Sequence, residues 1–254
     1  MAIKFMRTGQ QGILVWDDET GYKFGIDLFI SDMEGRQIKN PLSMDDLKNV
    51  SLLFGTHDHV DHIDRSAWSE IAKIHPHIKF VAPKLFEKTL PQELDISEER
   101  FIFIDEGIAF NDGNIRIEAI PAAHEFLDTG SDGLHPYLMY IITYKNIRLC
   151  HMGDTCLYEG VYQKLREKGP YDVMFPPING RDARRLKDDC IGNMTYQEAA
   201  DLIGTIKPKL AIPGHYDMFA FNGADPKDFI DYVEIKYPGQ KVKTLEVCEE
   251  YTIG

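Results

Sequence analysis

The sequence predicts an α/β protein in which two packed β-sheets carry helices on their outer faces. Period-two apolar patterns crowd the first part of the chain, and strands alternate with helices in the later part. The 254 residues, 43% hydrophobic and 27% charged, suffice for a sizeable core. Since each sheet has to bury an apolar face against another layer, two sheets with outer helices satisfy this pattern. No repeat or Gly/Ser linker interrupts the sequence, so residues 1–254 are expected to form one continuous domain.

The predicted strands are short runs of apolar or alternating residues. The clearest is Tyr22–Ile30, in which every second residue is apolar. The polar segment Asp32–Asp46 is expected to be a loop. The full set of predicted strands is Gly12–Asp18, Tyr22–Ile30, Ser51–Thr56, Lys79–Ala82, Phe101–Asp105, Asn114–Ile120, Pro136–Tyr144, Ile147–Met152, Tyr171–Phe175, Leu210–Pro213 and Lys241–Val247.

Helices are predicted where apolar residues return every three or four positions. One such helix follows the strand Ser51–Thr56, a second begins near Pro83, and a third precedes the strand Tyr171–Phe175. Thr195 and Glu198 form a capping box that opens a fourth helix. Asp225, followed by a proline, is an N-cap that opens a fifth, which is expected to run through residue 237.

Composition excludes several classes of protein. The formal charge is −13, and a chain this acidic is a poor general binder of nucleic acid or anionic membranes, so neither is expected as a partner. No apolar run reaches the roughly 18 residues that a membrane span needs. Residues 1–18 contain no secretory signal, which makes the cytoplasm the expected location. The four cysteines form no CxxC pair and are typical of reduced, mostly buried thiols.

The strongest chemical signal is the segment His57-x-His59-x-Asp61-His62, where a buried strand ends and a helix begins. His57 and His59 are two residues apart, so on an extended stretch they point the same way. Asp61 and His62 then lie at the start of the helix and can face a second point. Three imidazoles and a carboxylate within six residues are costly to desolvate unless something binds them, which predicts a metal site.

Three further donors follow predicted strands. His124 comes after Asn114–Ile120, Asp154 after Ile147–Met152, and His215 after Leu210–Pro213. Taken alone, each residue has an ordinary explanation, such as a loop histidine or, for Asp154, a helix N-cap. Together with the first cluster, they predict metal ligands on one edge of the sheets, with Asp154 bridging.

The order of these residues resembles the metallo-β-lactamase superfamily of metal-dependent hydrolases, over the whole chain. The resemblance implies an αββα four-layer sandwich with two mixed sheets and a two-metal site at one edge. It assigns one metal to His57, His59 and His124. It assigns the other to Asp61, His62 and His215, with Asp154 bridging. Three segments, at residues 177–182, 191–195 and 213–219, look like the L-ascorbate-6-phosphate lactonase branch of that superfamily. The resemblance also implies a homo-oligomer.

The resemblance to that branch implies the opening of a small phosphorylated lactone, and the ligands predict two divalent ions that generate the attacking hydroxide at neutral pH. Asp61, His62 and Asp154 are the expected catalytic residues, since Asp61 can orient the hydroxide while it binds metal. Histidine and carboxylate donors without thiolate suit Zn²⁺ or Mn²⁺, and also iron.

A small anionic substrate would need a binding site of its own. Arginines match phosphate oxygens with a planar fork, and Arg181, Arg184 and Arg185 stand together between Asp154 and His215. The alternative is a solvated loop. The residues expected to contact substrate are Arg181, Arg184, Arg185, Asn179, Asn193 and His135. His151, three residues before Asp154, either orients a ligand or is a satisfied core histidine.

The same ligand set also occurs in proteins with other functions. Nuclease relatives that cleave phosphodiesters usually carry a large inserted domain, whereas Asp154 and His215 are close in this sequence. Thioester hydrolases of the glyoxalase type usually have a helical C-terminal domain, and little chain follows His215. The redox di-iron branch typically has a carboxylate at the position of His59. A non-catalytic metal-binding protein remains as an alternative outside hydrolysis.

Overall fold

Two mixed β-sheets lie face to face in the computed structural model, which describes residues 3–253. The first sheet contains β1 (Ile3–Gly9), β2 (Gly12–Asp17), β3 (Lys23–Ile26), β4 (Val50–Phe54), β5 (Lys79–Pro83), β6 (Phe101–Ile104) and β13 (Glu250–Ile253). Its spatial order is β13-β1-β2-β3-β4-β5-β6. The strands β3 to β6 run parallel, and the pairs β13–β1, β1–β2 and β2–β3 are antiparallel.

The second sheet is built from the later strands. These are β7 (Phe110–Asn111), β8 (Ile115–Pro121), β9 (Leu138–Tyr144), β10 (Ile147–His151), β11 (Val173–Phe175) and β12 (Leu210–Ala211). Their spatial order is β12-β11-β10-β9-β8-β7. Because β9 is antiparallel to both β8 and β10, these two strands run in the same direction as β11 and β12.

Helices cover the outer face of each sheet. The helices of the described residues are α1 (Arg65–Ile74), α2 (Leu90–Leu94), α3 (Val161–Lys168), α4 (Ala183–Lys187), α5 (Tyr196–Ile206) and α6 (Pro226–Lys236), and α4 has no buried residue. The apolar faces of α1 and α2 pack on the first sheet, where Trp68 lies against Phe80 with ring centroids 4.8 Å apart. Helices α3, α5 and α6 pack on the second sheet. The four layers are therefore helix, sheet, sheet and helix, which confirms the predicted fold class.

The core between the sheets is rich in aromatic side chains. Phe5 meets Phe175 across the layers, and Phe54 meets Tyr140, both edge to face at 5.6 and 5.5 Å. Such pairs stabilise by about 0.5–1.5 kcal/mol beyond their burial. Among residues 3–253, no helix combines the length and the apolar character that crossing a bilayer requires.

Several predicted boundaries were wrong. The segment Lys241–Val247 forms only isolated bridges at two residues, one to each sheet, and the last strand is β13. Strand β1 was not predicted. The strand predicted at Tyr22–Ile30 ends at Ile26, because Asp27 adopts a left-handed backbone with φ of 49°. The helix expected near Pro83 is a short 3-10 turn at Lys84–Phe86, and α2 begins only at Leu90.

The end caps of the helices agree better with prediction. Both hydrogen bonds of the predicted capping box, between Thr195 and Glu198, are present at α5. Asp225 caps α6 by accepting from the backbone of Lys227. Of the cysteines, Cys150 and Cys156 are buried, whereas Cys190 is half-buried and Cys248 is exposed.

The strand directions bring one end of both sheets together. The carboxyl ends of β3 and β4 in the first sheet meet those of β8, β10 and β12 in the second. Two contacts tie the sheets at this edge: Leu138 donates its backbone N–H to the carbonyl of Thr56 at 3.1 Å, and the Tyr140 hydroxyl donates to the carbonyl of Gly55 at 3.0 Å. Side chains in the loops that follow these five strands therefore converge at this edge.

Candidate metal centre

The histidine-rich segment after β4 forms a tight turn. The backbone N–H groups of His62 and Ile63 both donate to the carbonyl of His59, at 3.0 and 2.8 Å. Asp64 then caps α1 by accepting from the backbone of Ala67. This turn brings the imidazoles of His57 and His59 together, with Nε2 of the first 3.0 Å from Nδ1 of the second.

The structure brings all seven predicted metal donors into two adjacent groups. One group contains His57, His59, His124 and Asp154, and the other contains Asp61, His62 and His215. Within each group, the nitrogen and oxygen atoms available for coordination all lie within 4.8 Å of one another. The resemblance implies two metals held by the same side chains, with Asp154 shared between them, and this assignment stays a prediction.

Asp154 lies between the two groups. Its Oδ1 is 3.3 Å from His62 Nε2, and its Oδ2 is 3.1 Å from His215 Nε2 and 3.9 Å from His124 Nε2. One carboxylate thus faces imidazoles of both groups. Gly153, just before it, has φ of +54°, and a Cβ there would lie 2.8 Å from the Cβ of Thr56. The close packing of these two loops therefore requires glycine at this position.

The donor atoms fit metal ions better than they fit a hydrogen-bond network. His62 Nε2 and Asp154 Oδ1, which face each other between the two groups, are buried and have no hydrogen-bond partner among the described residues. Buried polar groups are normally satisfied, so such a cluster is expensive unless a ligand completes it. Imidazole and carboxylate donors at this spacing suit divalent metals such as zinc.

A buried carboxylate that the sequence reasoning missed orients His62. Asp27 Oδ2 lies 2.6 Å from His62 Nδ1 and accepts from the Thr56 hydroxyl at 2.7 Å, while its Oδ1 accepts from the Thr56 backbone at 2.8 Å. This fixes the tautomer of His62 and turns Nε2 toward Asp61 and Asp154. The signal in the sequence was a single charged residue inside the apolar run of residues 26–30.

Two glutamines after β1 support the other side of the site. The side-chain amide of Gln10 donates to Asp61 Oδ2 at 2.7 Å and lies 3.2 Å from His215 Nε2. The amide of Gln11 donates to the carbonyl of Phe175 at 3.1 Å, which ties the two sheets together. His151 is fully buried, with Nε2 2.8 Å from the Gln11 carbonyl and Nδ1 3.7 Å from Asp27. It lies behind Asp27 and does not face the donor groups directly.

The two groups differ in electrostatics. Burial lowers the pKa of His57, His59 and His124, the last to about 4. Burial also opposes a charge on His62 and His215, yet the nearby carboxylates, Asp154 first, outweigh it and raise both pKa values. The three imidazoles of the first group are therefore neutral and ready to coordinate. In the second group a metal would displace protons, because imidazole binds metals in its neutral form.

A cavity of about 380 Å³ opens above the donors. His59, His124, Asp61, Asp154 and His215 form its floor. Its walls carry apolar and acidic side chains from four segments: Met33, Glu34, Val60, Asp188, Asp189, Cys190, Ile191, Phe219, Phe221 and Asn222. The volume is at the lower end of the range for small-ligand sites, so the cavity suits a small substrate.

The residues predicted to bind substrate lie outside this wall. Arg181 forms a two-pronged pair with Glu198, at 2.6 and 2.7 Å. Arg185 donates to the backbone carbonyls of Asn179, Phe221 and Gly223. The exposed Arg184 lies on α4, a short helix in place of the predicted loop. A phosphate-binding role for these arginines stays a prediction, but the structure gives two of them structural partners.

Asn179, Asn193 and His135 are likewise held by the protein. The Asn193 amide donates to Asn179 Oδ1 at 3.1 Å, and the Asn179 amide donates to Asn222 Oδ1 at 2.7 Å. His135 Nδ1 lies 2.7 Å from Asp105 Oδ1, at the end of β6. None of these three residues lines the cavity in the part of the chain that the structure describes.

Comparisons with known proteins agree with this architecture. The sequence profile of the family described as Beta-lactamase superfamily domain matches residues 25–216, so the chain belongs to the metallo-β-lactamase superfamily. A UPF0173 metal-dependent hydrolase from Staphylothermus marinus is 30% identical over 229 residues, 85% of this chain and 86% of the relative. Another, from Hyperthermus butylicus, is 26% identical over 94% of this chain and 99% of its own length.

Solved structures give the same fold. Igni18, a metallo hydrolase from the archaeon Ignicoccus hospitalis, superimposes with a TM-score of 0.78 at 24% identity, covering 100% of this chain and 99% of that one. An isothiocyanate hydrolase from Delia radicum gut bacteria gives 0.74 at 13% identity over both full chains. The protein is accordingly a metal-dependent hydrolase with the metallo-β-lactamase fold.

Proposed function

We propose that this hydrolase opens a small ester, and specifically a cyclic ester, at a centre holding two divalent ions, Zn²⁺ or Mn²⁺. The observation that carries the proposal is Asp154, which faces both donor groups on the floor of a cavity of about 380 Å³. The lactone itself rests on the resemblance of residues 177–182, 191–195 and 213–219 to the L-ascorbate-6-phosphate lactonase branch.

When bound, two divalent ions would supply hydroxide at neutral pH and polarise the carbonyl of the substrate. His57, His59 and His124 would hold one ion, Asp61, His62 and His215 the other, and Asp154 both. The residues behind them set the geometry: Asp27 fixes the ring of His62, and Gln10 holds the carboxylate of Asp61. Rigid support of this kind is what keeps a charged site in position for reaction.

The wall of the cavity is unfavourable to the phosphate group that the sequence predicts on the substrate. The cavity wall carries Glu34, Asp188 and Asp189, and no lysine or arginine lines it among residues 3–253. These carboxylates would repel a phosphate dianion.

The test is turnover of three substrate classes by the zinc-loaded and manganese-loaded protein: simple lactones, the same lactones with a phosphate, and a phosphodiester. We expect the simple lactones, which carry no phosphate, to react fastest. His57→Ala, Asp154→Ala and His215→Ala should each lower kcat at least about 100-fold and reduce the metal content from two ions per chain. His77→Ala is the matched control, because His77 is exposed and lies outside both donor groups. Preferential turnover of the phosphodiester would replace the lactone proposal by the nuclease-type alternative.

A further inference from the structure

The wall of the cavity exposes an unusual amount of apolar surface. Met33, Val60 and Phe221 are 45%, 47% and 63% exposed, and they come from three separate segments of the chain. The ring of Phe219 lies against that of Phe221, tilted by 32° with the centroids 5.6 Å apart, and Ile191 also lines the cavity. We call these five residues the apolar rim. Exposed apolar surface that gathers at a cavity, rather than being scattered, marks a binding site.

The rim is continuous with the metal donors. Val60 stands between His59 and Asp61, so its exposed side chain borders both donor groups. The segment 219–223 begins four residues after His215, and Arg185 holds it through the carbonyls of Phe221 and Gly223. A molecule whose reacting bond lies over the donors therefore places its neighbouring atoms against the rim.

The charged side chains around the apolar rim disfavour substrates that are negatively charged. Glu34, Asp188 and Asp189 are exposed and line the same cavity, and the whole chain carries a formal charge of −13. A like charge close to these carboxylates is repelled, and the field of the whole protein also disfavours the approach of anions. An uncharged apolar group meets neither penalty.

We infer that the apolar rim binds an uncharged apolar group of the substrate, adjacent to the bond that is cleaved, and that the acidic side chains exclude negatively charged substrates. This rests on the proposed ester hydrolysis for the identity of the bond. It goes beyond that proposal because it states which side of the substrate the protein recognises, and by which residues.

The experiment measures binding, so it does not depend on turnover. Isothermal titration of the zinc-loaded protein uses a hydroxamate series, acetyl, butanoyl and hexanoyl, whose common head group binds the metals. Burial of a methylene typically tightens binding about four-fold, so we expect the dissociation constant to fall two- to four-fold per methylene. Adipic monohydroxamate, in which a carboxylate replaces the terminal methyl of the hexanoyl compound, should bind at least ten-fold more weakly.

Substitutions assign the effect to the rim. In Phe221→Ser, each added methylene should lower the dissociation constant by less than two-fold. Phe221→Leu should retain most of the wild-type gain in affinity per methylene. Ile235→Ser is the matched control, because Ile235 is 83% exposed on α6 and does not line the cavity. Asp188→Asn should reduce the ratio between the dissociation constants of the adipic and hexanoyl compounds. All variants should keep the zinc content and circular dichroism of the parent.

Three results of the titrations would overturn the inference: no dependence of affinity on chain length, binding of the adipic compound at least as tight as that of the hexanoyl compound, or equal losses of affinity in Phe221→Ser and Ile235→Ser. A fourth is a fall in molecular mass for Phe221→Ser in light scattering with an unchanged chain-length gain, which would make the rim a contact between copies of the chain. Hydroxamate binding with the expected gain but without turnover of any ester would refute the proposed function and leave this inference standing.

Discussion

Replacing Asp27 by asparagine tests whether residues behind the donors control metal binding. Asp27 makes three contacts at 2.6 to 2.8 Å, to His62 Nδ1, the Thr56 hydroxyl and the Thr56 backbone. Asparagine keeps the shape and can still accept from the Thr56 backbone. It presents an N–H group, however, where His62 now finds a carboxylate oxygen, so the imidazole loses the partner that fixes its tautomer and raises its basicity.

The expected loss is 10- to 100-fold in metal affinity, the range usual for partners of ligating histidines. That corresponds to about 1.4–2.7 kcal/mol. Asp27→Ala should be worse for folding, since it leaves the backbone N–H of Thr56 unpaired in the interior, at about 1–3 kcal/mol for a buried group. The assay is competition for Zn²⁺ with a chromophoric chelator at neutral pH, with circular dichroism as the check on folding.

The chain offers a matched control in Asp105. It holds His135 as Asp27 holds His62, with Nδ1 2.7 Å from a buried carboxylate at the end of a strand, but His135 belongs to neither donor group. Asp105→Asn should leave zinc affinity unchanged. Wild-type affinity in Asp27→Asn, or equal losses in the two variants, would refute the reasoning. A selective effect of Asp105→Asn on KM would instead support the predicted substrate contact of His135.

The remaining predictions concern stability and loop packing. Arg116 and Lys168 hold the pKa of the buried Glu118 at about 2, so its stabilisation is complete above the unfolded value near 4.5 and is lost as the pH falls toward 2. Because the partners are half-exposed, we expect Glu118→Gln to lower the free energy of unfolding by about 1–2 kcal/mol at pH 7, with the difference fading below pH 4.5 in urea titrations. Gly153→Ala should destabilise the protein by about 2 kcal/mol and lower its metal content, because the backbone there is left-handed and the added Cβ would collide with Thr56. Normal metal content in this variant would contradict the prediction. Arg185→Lys should speed hydrogen–deuterium exchange in residues 219–223, whose carbonyls it bonds, and unchanged exchange would show that the fork is dispensable.

The donors could be predicted from sequence because they are local. His57 to His62 stand within six residues, and His124, Asp154 and His215 each follow a recognisable strand, so strand ends alone place them on one edge. The outer layers were predictable for a similar reason, since capping boxes and helical periodicity depend on neighbours in the chain.

What could not be predicted depends on distant contacts. Strand β13 has an alternating, half-exposed pattern and becomes a strand because β1 offers a free edge. Arg181 and Arg185 looked like free cations in an acidic chain. Their partners, Glu198 and the carbonyls of Asn179, Phe221 and Gly223, are supplied by the tertiary fold. The sequence shows that an arginine is present, but it does not show whether its guanidinium is already bonded to another part of the protein.

Backbone strain gathers around the donors. Gln10, Asp27 and His215 all have left-handed φ angles, of 52°, 49° and 58°, although none is glycine. Each such residue costs about 1–3 kcal/mol and persists only where its surroundings hold it. Here backbone hydrogen bonds hold these residues: the N–H of His215 donates to the carbonyl of Gln10 at 2.9 Å, and that of Asp27 donates to the carbonyl of Phe54, at the end of β4, at 2.9 Å. These bonds involve no metal ligand atom, so the fold maintains the strained geometry by itself. Backbone bonds of the fold therefore support the positions of Gln10, Asp27 and His215 independently of the side-chain atoms that would coordinate metal.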